Sequence, residues 1–366
     1  MFLRRVALSN FRNYGELDLE PAGGLNVLVG ANAQGKSNLL EGIAMLGTGK
    51  SFRTSRDADV VRTGSELAAV RGSASVRAGE VELACTVAKG ARGTRKSYTV
   101  NGNVVRYARY LGNVRVVTFV PTDLQLAGGT PGLRRAFLNG ALAQIDPRYY
   151  HELARYRKAL AQKNAMLRGT IAPDAELLDI YDAALVESGT EIVLARETLV
   201  RALAAQAAAA HERFARGERL EVRYEPNVAY EVGAAGAVAS ALQARLREVR
   251  EAERTRKTAV AGPHRDDVGL SLDGVPLAAY GSQGQQRTAV LALKVAEYIV
   301  MRERSNEAPL LLLDDVLSEL DEARAGAFLA GIGDYEQAFV TATHLPGGLP
   351  PSARLLRVNQ GRVSAA

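Results

Sequence analysis

The eight residues Gly30-Ala31-Asn32-Ala33-Gln34-Gly35-Lys36-Ser37 constrain the fold of this chain more than any other feature. They follow a short apolar run, Leu25 to Val29, and open into Ser37 to Leu46, which reads as a helix. Strand, glycine-rich loop and helix in this order are the context in which the spacing G-x-x-x-x-G-K-[ST] cradles phosphate. Glycine lets the backbone wrap closely, so that its N–H groups and the amino end of the helix face phosphate oxygens. In that geometry Lys36 reaches the β and γ phosphates of a nucleotide and Ser37 ligates Mg2+, while Gly30, Ala31, Asn32, Ala33, Gln34 and Gly35 form the cradle.

Two further apolar runs, Leu310 to Leu313 and Phe339 to Thr343, close on polar residues, Asp314-Asp315 and His344. Three such strands predict a parallel sheet with its chemistry at the strands' carboxyl ends. Asn101-Gly102 and Asp273-Gly274, each between short apolar stretches, are hairpin turns and predict a second, antiparallel sheet. Pro147 to about Arg168 and Asp174 to about Phe214 lack strand alternation and are rich in Ala, Leu, Arg and Glu. Broken at Gly169-Thr170-Ile171-Ala172-Pro173, they predict a helical hairpin whose longer arm reaches roughly 60 Å. The class is therefore α/β, and 366 residues are enough for about two domains.

Composition narrows the setting. A single cysteine, Cys85, excludes an internal disulfide, and with only four histidines a Cys/His zinc site is not expected. No run of eighteen apolar residues occurs and the amino end turns charged at Arg4-Arg5, so a reducing cytoplasm is expected, without signal peptide or membrane span. Forty-six basic residues against forty acidic ones leave a net charge of +6, and the excess is local. From Lys89 to Arg115 there are seven basic residues and no acid; from Pro131 to Arg168 there are eight against Asp146 and Glu152. Arg92, Arg95, Lys96, Arg155, Arg157 and Lys158 are the candidates that this charge offers for DNA phosphates.

Asp314 and Asp315 supply what the phosphate loop lacks: a carboxylate for the Mg2+ shell and a second to polarise an attacking water. Tyr280-Gly281-Ser282-Gln283-Gly284-Gln285-Gln286-Arg287 precedes a helical stretch, Thr288 to Arg304, so small and amide residues sit at a helix amino end. This is a second phosphate-binding surface. A chain already holding its nucleotide has no use for it at the same site, which implies contact in trans: Ser282, Gly284 and Gln285 of one copy cover the γ-phosphate held by another.

With these elements the sequence resembles the ABC-type ATPases, as Walker A loop, Walker B strand and signature motif. Ser318-Glu319-Leu320-Asp321 is similar to that family's D-loop and His344 to its switch histidine; Gln125 lies close to the region of its Q-loop. Asn10-Phe11-Arg12-Asn13-Tyr14, Lys50-Ser51-Phe52-Arg53, Pro121-Thr122-Asp123-Leu124, Arg134-Arg135-Ala136-Phe137-Leu138-Asn139 and Gly262-Pro263-His264-Arg265-Asp266-Asp267 resemble the SMC and Rad50-like branch, and within it the RecF family of recombination mediators. The resemblance implies an ABC-type P-loop ATPase head with mixed sheets and an inserted, mainly helical lobe carrying the short hairpin. The head would comprise residues 1–125 and 258–366, the helical lobe residues 126–257, with the signature motif at 280–287 near the boundary.

The implied activity is that of an ATP-dependent DNA-binding protein of recombinational repair and replication-gap processing. ATP and Mg2+ are its cofactors. Its partners would be double-stranded, single-stranded or junction DNA, a second copy in an ATP-dependent homodimer, and a mediator of the RecR type that helps RecA load. Lys36, Asp315, His344 and Ser282 take the catalytic roles, Ser37 and Asp314 the metal, and Arg12 a place beside the nucleotide. The signature reads Ser-Gln-Gly-Gln-Gln where Ser-Gly-Gly-Gln-Gln is common, and Asp315 stands where many relatives have Glu, whose longer side chain it lacks, so hydrolysis is expected to be slow; that it is DNA-stimulated is what the resemblance implies. The same ATP motifs would also serve a transport ATPase subunit coupled to a membrane partner; the basic helical insert speaks against it.

Overall fold

Strands without alternation are buried on both faces, and those of this chain pair side by side in parallel. Gly24–Val29 lies between Gln337–Ala342 and Arg354–Asn359; beyond Gln337–Ala342 follow Leu310–Leu313 and Val116–Phe119. Arg362–Ala365 closes the other edge, antiparallel to Arg354–Asn359. This is a computed structural model, which describes residues 1–91, 93–169, 174–215, 217–231, 235–316, 335–344 and 349–365. A second sheet is antiparallel throughout, in the order Tyr14–Leu19, Phe2–Phe11, Leu67–Val76, Gly79–Gly90, Gly93–Val100 and Asn103–Val105. Its Asn101-Gly102 turn has φ of 51° and 76°, the left-handed pair that a two-residue hairpin requires.

The helix that follows the phosphate loop, Lys36–Thr48, touches strands of both sheets. Ten of its thirteen residues are buried, so this helix has no solvent face and is the centre of its unit. Leu39, Leu40 and Ile43 meet Val6, Leu8 and Val70 in one apolar cluster that also holds Leu28, Leu310 and Phe339. Each such side chain contributes about 1.5–3 kcal/mol by leaving water. Cys85 lies in this cluster, where burial pushes its thiol up to about 12 and keeps it unreactive.

The chain's contacts divide it into two units, Met1–Asp123 with Glu297–Ala366, and Leu124–Ala296. The second is mainly helical. Pro147–Arg168 and Ala175–Phe214 are the two helices of the expected hairpin, the latter of 40 residues. Asp146 and Asp174 cap them, accepting the N–H of Arg148 and of Glu176 at 2.9 Å. Between these helices and Arg250–Arg256 the buried Lys163 ammonium lies 2.6 Å from both Asp182 and Glu253.

The lobe break expected after residue 257 is corrected here, because residues 258–296 stay with the helical unit. Asp267–Leu272 pairs antiparallel with Leu220–Glu225, and the Asp273-Gly274 turn leads to Val275–Pro276 as the third strand of that sheet. Six ladder pairs tie the segment to its partner, which a cut at residue 257 would sever. Among the described residues, no helix is long and apolar enough to cross a membrane.

His264 carries a pH dependence in this unit. Its Nε2 lies 3.2 Å from the Ala259 carbonyl, which can only accept, so Nε2 holds the proton and Nδ1 accepts from the Tyr156 hydroxyl at 2.7 Å. Burial pushes its pKa down from 6.5 to about 4. The unfolded chain therefore binds more protons between those values, and stability present above pH 6.5 is lost as the pH falls through about 4, by up to about 3 kcal/mol. We expect the urea midpoint of the helical unit to fall over that window, and to fall less in His264→Asn, whose amide oxygen can accept from Tyr156; an equal fall in both would contradict the assignment.

Candidate nucleotide site

The loop from Gly30 to Gly35 leaves the central parallel strand and is shaped by contacts on every side. Gly30 donates to the Ala342 carbonyl at 3.3 Å, and a Cβ there would run into the Val358 carbonyl. Gly35 has φ of 117°, and a Cβ on it would come within 2.7 Å of the Asn13 side chain, so both glycines of the motif are required by geometry. Ala33 also takes a left-handed φ, 64°. The Lys36 ammonium lies in the curve of the loop, donating to the carbonyls of Gly30 at 2.7 Å and Ala31 at 2.9 Å. Burial lowers its pKa, and the charges of Asp315 and Asp314 act in the opposite direction. At the helix start the first intrahelical bond is from Leu39 to the Gly35 carbonyl, which leaves the N–H groups of Lys36, Ser37 and Asn38 for a ligand at the loop.

The two acids stand at the carboxyl end of Leu310–Leu313. Asp314 is buried and accepts from the Thr341 hydroxyl at 3.0 Å; burial raises its pKa, against the effect of the nearby Ser37 and Thr341 hydroxyls. Thr341 in turn accepts the N–H of Asp315 at 2.8 Å, and Asp315 has φ of 56°. A single threonine on the neighbouring strand thus holds the Asp314 carboxylate and the Asp315 backbone. Ser37 and Asp314, close enough to act on each other, offer a hard oxygen pair of the kind that Mg2+ takes alongside substrate phosphates. His344 is exposed at the end of the next strand, its Nδ1 3.2 Å from the Thr343 hydroxyl. The expected D-loop, Ser318 to Asp321, lies outside the described residues.

A second ring of residues holds the loop and its helix. Glu41, fully buried one turn into the helix, accepts from Arg12 at 2.8 and 2.6 Å and from Ser51, with Arg53 3.7 Å away. Arg53 also donates to Asn38, and Asn38 to Asn13. The Phe11 to Tyr14 and Lys50 to Arg53 segments therefore meet on the phosphate-loop helix, around a cavity of about 680 Å3 beside it. On the outer rim Gln34 accepts from Asn13 at 3.0 Å, from Gly361 at 3.0 Å and, through its side chain, from Gln360 at 2.9 Å. Sequence reasoning missed Glu41, Thr341, Gln360 and Gly361. A charged residue inside an apolar helix was the available signal for Glu41; a Gln-Gly turn marks the last two.

In the helical unit, Ser282 caps the helix Gln283–Ser305, which starts five residues before the expected Thr288. Its hydroxyl accepts from the Gln285 N–H at 3.2 Å, and the Gln285 side chain accepts from the Ser282 N–H at 3.0 Å, a reciprocal capping box. Ser282, Gln283 and Gly284 are exposed, while the Gln285 amide also donates to Glu218. Gln125, at the start of a short helix, is exposed too.

The charge candidates are not alike. Lys96 is mostly covered and bound to Asp57 and the Gly49 carbonyl, and Arg155 is paired with Glu152 and Glu187. Arg95, Arg157 and Lys158 are exposed; Arg92 lies outside the described residues.

A family model described as the RecF/RecN/SMC N terminal domain matches residues 2–360. The DNA replication and repair protein RecF of Gloeobacter violaceus is 43% identical over 373 aligned positions, covering 100% of this chain and 99% of that protein. The solved structure of the recombination mediator protein RecF with ATP, in the RecFOR pathway, superposes with a TM-score of 0.92 at 31% identity, over 100% of this chain and 97% of that one. An Smc head domain from Pyrococcus furiosus, solved with the C-terminal domain of ScpA, reaches a TM-score of 0.55 at 15% identity over 100% and 96% of the two chains, and shares the fold alone. The mixed α/β head expected from the motifs is the fold common to these structures.

Proposed function

Because the chain belongs to the RecF family, we propose that it is an ATP-dependent DNA-binding protein of recombinational repair and replication-gap processing, in which ATP joins two copies over DNA and slow hydrolysis releases them. The observation that carries this reading is the convergence of Lys36, Ser37, Asp314 and Asp315 at the ends of two parallel strands, organised by Thr341. The transport-ATPase alternative has no support among the relatives, which are named for DNA replication and repair.

Lys36 and the free N–H groups of the helix start would bind the β and γ phosphates of ATP, with Ser37 and Asp314 holding Mg2+. Bound there, the ion would neutralise charge on the phosphates. Asp315 would orient the attacking water, and its side chain, one carbon shorter than Glu, suits slow turnover. Arg12, held by Glu41, would line the nucleotide's flank, and His344 would sense the γ-phosphate. Ser282, Gly284 and Gln285 of a second copy would complete the site, so that ATP and ADP differ in the one group that both copies touch. Of the charge candidates, the exposed Arg95, Arg157 and Lys158 would meet DNA phosphates, alongside a partner of the RecR type.

Ser282→Arg tests the trans contact. It should hold the protein at monomer mass with ATP in light scattering, while fluorescent-ATP binding changes by no more than about threefold. Ser282→Asp keeps a capping oxygen but opposes the γ-phosphate, and should also stay monomeric. A normal ATP dimer in both variants would sink the trans reading.

A further inference from the structure

Two motifs of the helical unit remain outside the nucleotide site: Arg134 to Asn139 and Gly262 to Asp267. They are bound to each other. Arg134 forks onto the Asp267 carboxylate with two bonds of 2.7 Å, and Arg135 donates to the Asp266 carbonyl at 2.6 Å. With the hairpin helices they enclose a separate cavity of about 250 Å3.

The polar groups of this cavity divide into those already used and those still free. The Tyr156 hydroxyl gives its proton to His264 Nδ1, and His264 Nε2 gives its own to the Ala259 carbonyl. The Asn139 oxygen accepts from Tyr149 and Arg196. Arg196, 2% exposed, spends its donors on Pro263, Asp266, Asn139 and Tyr149. Arg135 has given one donor away, and Arg157, exposed at the rim, meets no acceptor among the described residues. Among the described residues no carboxylate lines the cavity, whereas Leu153, Leu160 and Ile192 form an apolar wall. Burial and the nearby Arg196 charge lower the pKa of Arg135, with Asp267 and Asp266 acting in the opposite direction; the net shift is downward, so a carboxylate at the cavity would favour its charged form.

What this cavity offers is therefore an apolar wall, guanidinium donors and no free acceptor on His264 or Asn139. A phosphodiester has nothing to place against three aliphatic side chains. A carboxylate on an apolar residue satisfies both halves. We propose that this pocket captures the free carboxyl terminus of a partner polypeptide ending in a large apolar residue, with Arg157 and Arg135 gripping the carboxylate. The volume is below that of drug-sized ligand sites and suits one such residue. This does not rest on the nucleotide reading and is tested without ATP.

The probe is a fluorescein-labelled acidic octapeptide ending in Phe, as free acid and as C-terminal amide, titrated with the full-length chain and followed by anisotropy. The free acid should bind at least about tenfold more tightly than the amide. Arg157→Glu should weaken the free acid by about tenfold or more and leave the amide unchanged. Because the amide control alters no protein residue, the comparison stands even if a variant misfolds. Equal binding of acid and amide, no binding at about 1 mM, or an Arg157→Glu variant that weakens a 5′-phosphorylated oligonucleotide but not the peptide would each overturn the proposal.

Discussion

Lys36→Ala should lower ATP turnover by about two to three orders of magnitude, the loss typical of removing one preorganised charge donor at a reacting centre. The ammonium lies inside the phosphate loop, fixed by the Gly30 and Ala31 carbonyls at 2.7 and 2.9 Å, so it is positioned before any ligand arrives. Asp314 and Asp315 are near enough to act on its charge. Alanine removes that charge and leaves two carbonyls without their donor, so nucleotide affinity should fall along with turnover. Lys36→Arg keeps the charge, but a planar fork cannot reproduce a point charge lying between two carbonyls, so it should also lose turnover. Phosphate release together with fluorescent-nucleotide binding measures both. Turnover within threefold of the parent for Lys36→Ala would place catalysis elsewhere.

Arg196→Met should cost the helical unit about 3–5 kcal/mol, as expected when one partner of a buried ion pair is removed. Arg196 and Asp266 are each 2% exposed and 3.1 Å apart, and the same guanidinium binds the Pro263 carbonyl at 2.6 Å. Without it Asp266 keeps Tyr224 and the Asn227 N–H but loses its only bonded cation among the described residues. Burial already raises the Asp266 pKa, and the variant should raise it further. A carboxyl whose folded pKa is raised costs stability when ionised, so the deficit should shrink as the pH falls from 7 towards its raised pKa. Adding Asp266→Asn to Arg196→Met should restore part of the loss, because the charge left behind is then gone. Urea unfolding at two pH values decides this; a loss below about 1 kcal/mol, unchanged with pH, would contradict the pair's role.

How much of this was legible follows from which rules are local. The phosphate loop, the strand ending in Asp314-Asp315 and the turns at Asn101-Gly102 and Asp273-Gly274 depend on neighbours in sequence, and all are found where the residues put them. Glu41 was not legible, because its meaning comes from Arg12 and Arg53, brought to it by different segments. The boundary at residue 257 failed because pairing between Leu220–Glu225 and Asp267–Leu272 is a long-range event. The helix start at Gln283 was hidden by Gln-Gly-Gln-Gln, which has no apolar periodicity, although the Ser282–Gln285 spacing of a capping box was there to be seen. The antiparallel sheet was legible at one hairpin only; the outer faces of Leu67–Val76 and Gly79–Gly90 carry Ala, Ser and Thr, which blur the alternation.

The central claim is that the γ-phosphate at the Gly30 to Ser37 loop decides whether two copies close on DNA. The most direct measurement is molar mass by light scattering with ATP, ADP or no nucleotide, each repeated with a short duplex at low and high salt. We predict a dimer with ATP only, and capture of duplex by that dimer that weakens steeply as salt rises. A monomer in every condition, or a dimer indifferent to the nucleotide, would contradict it.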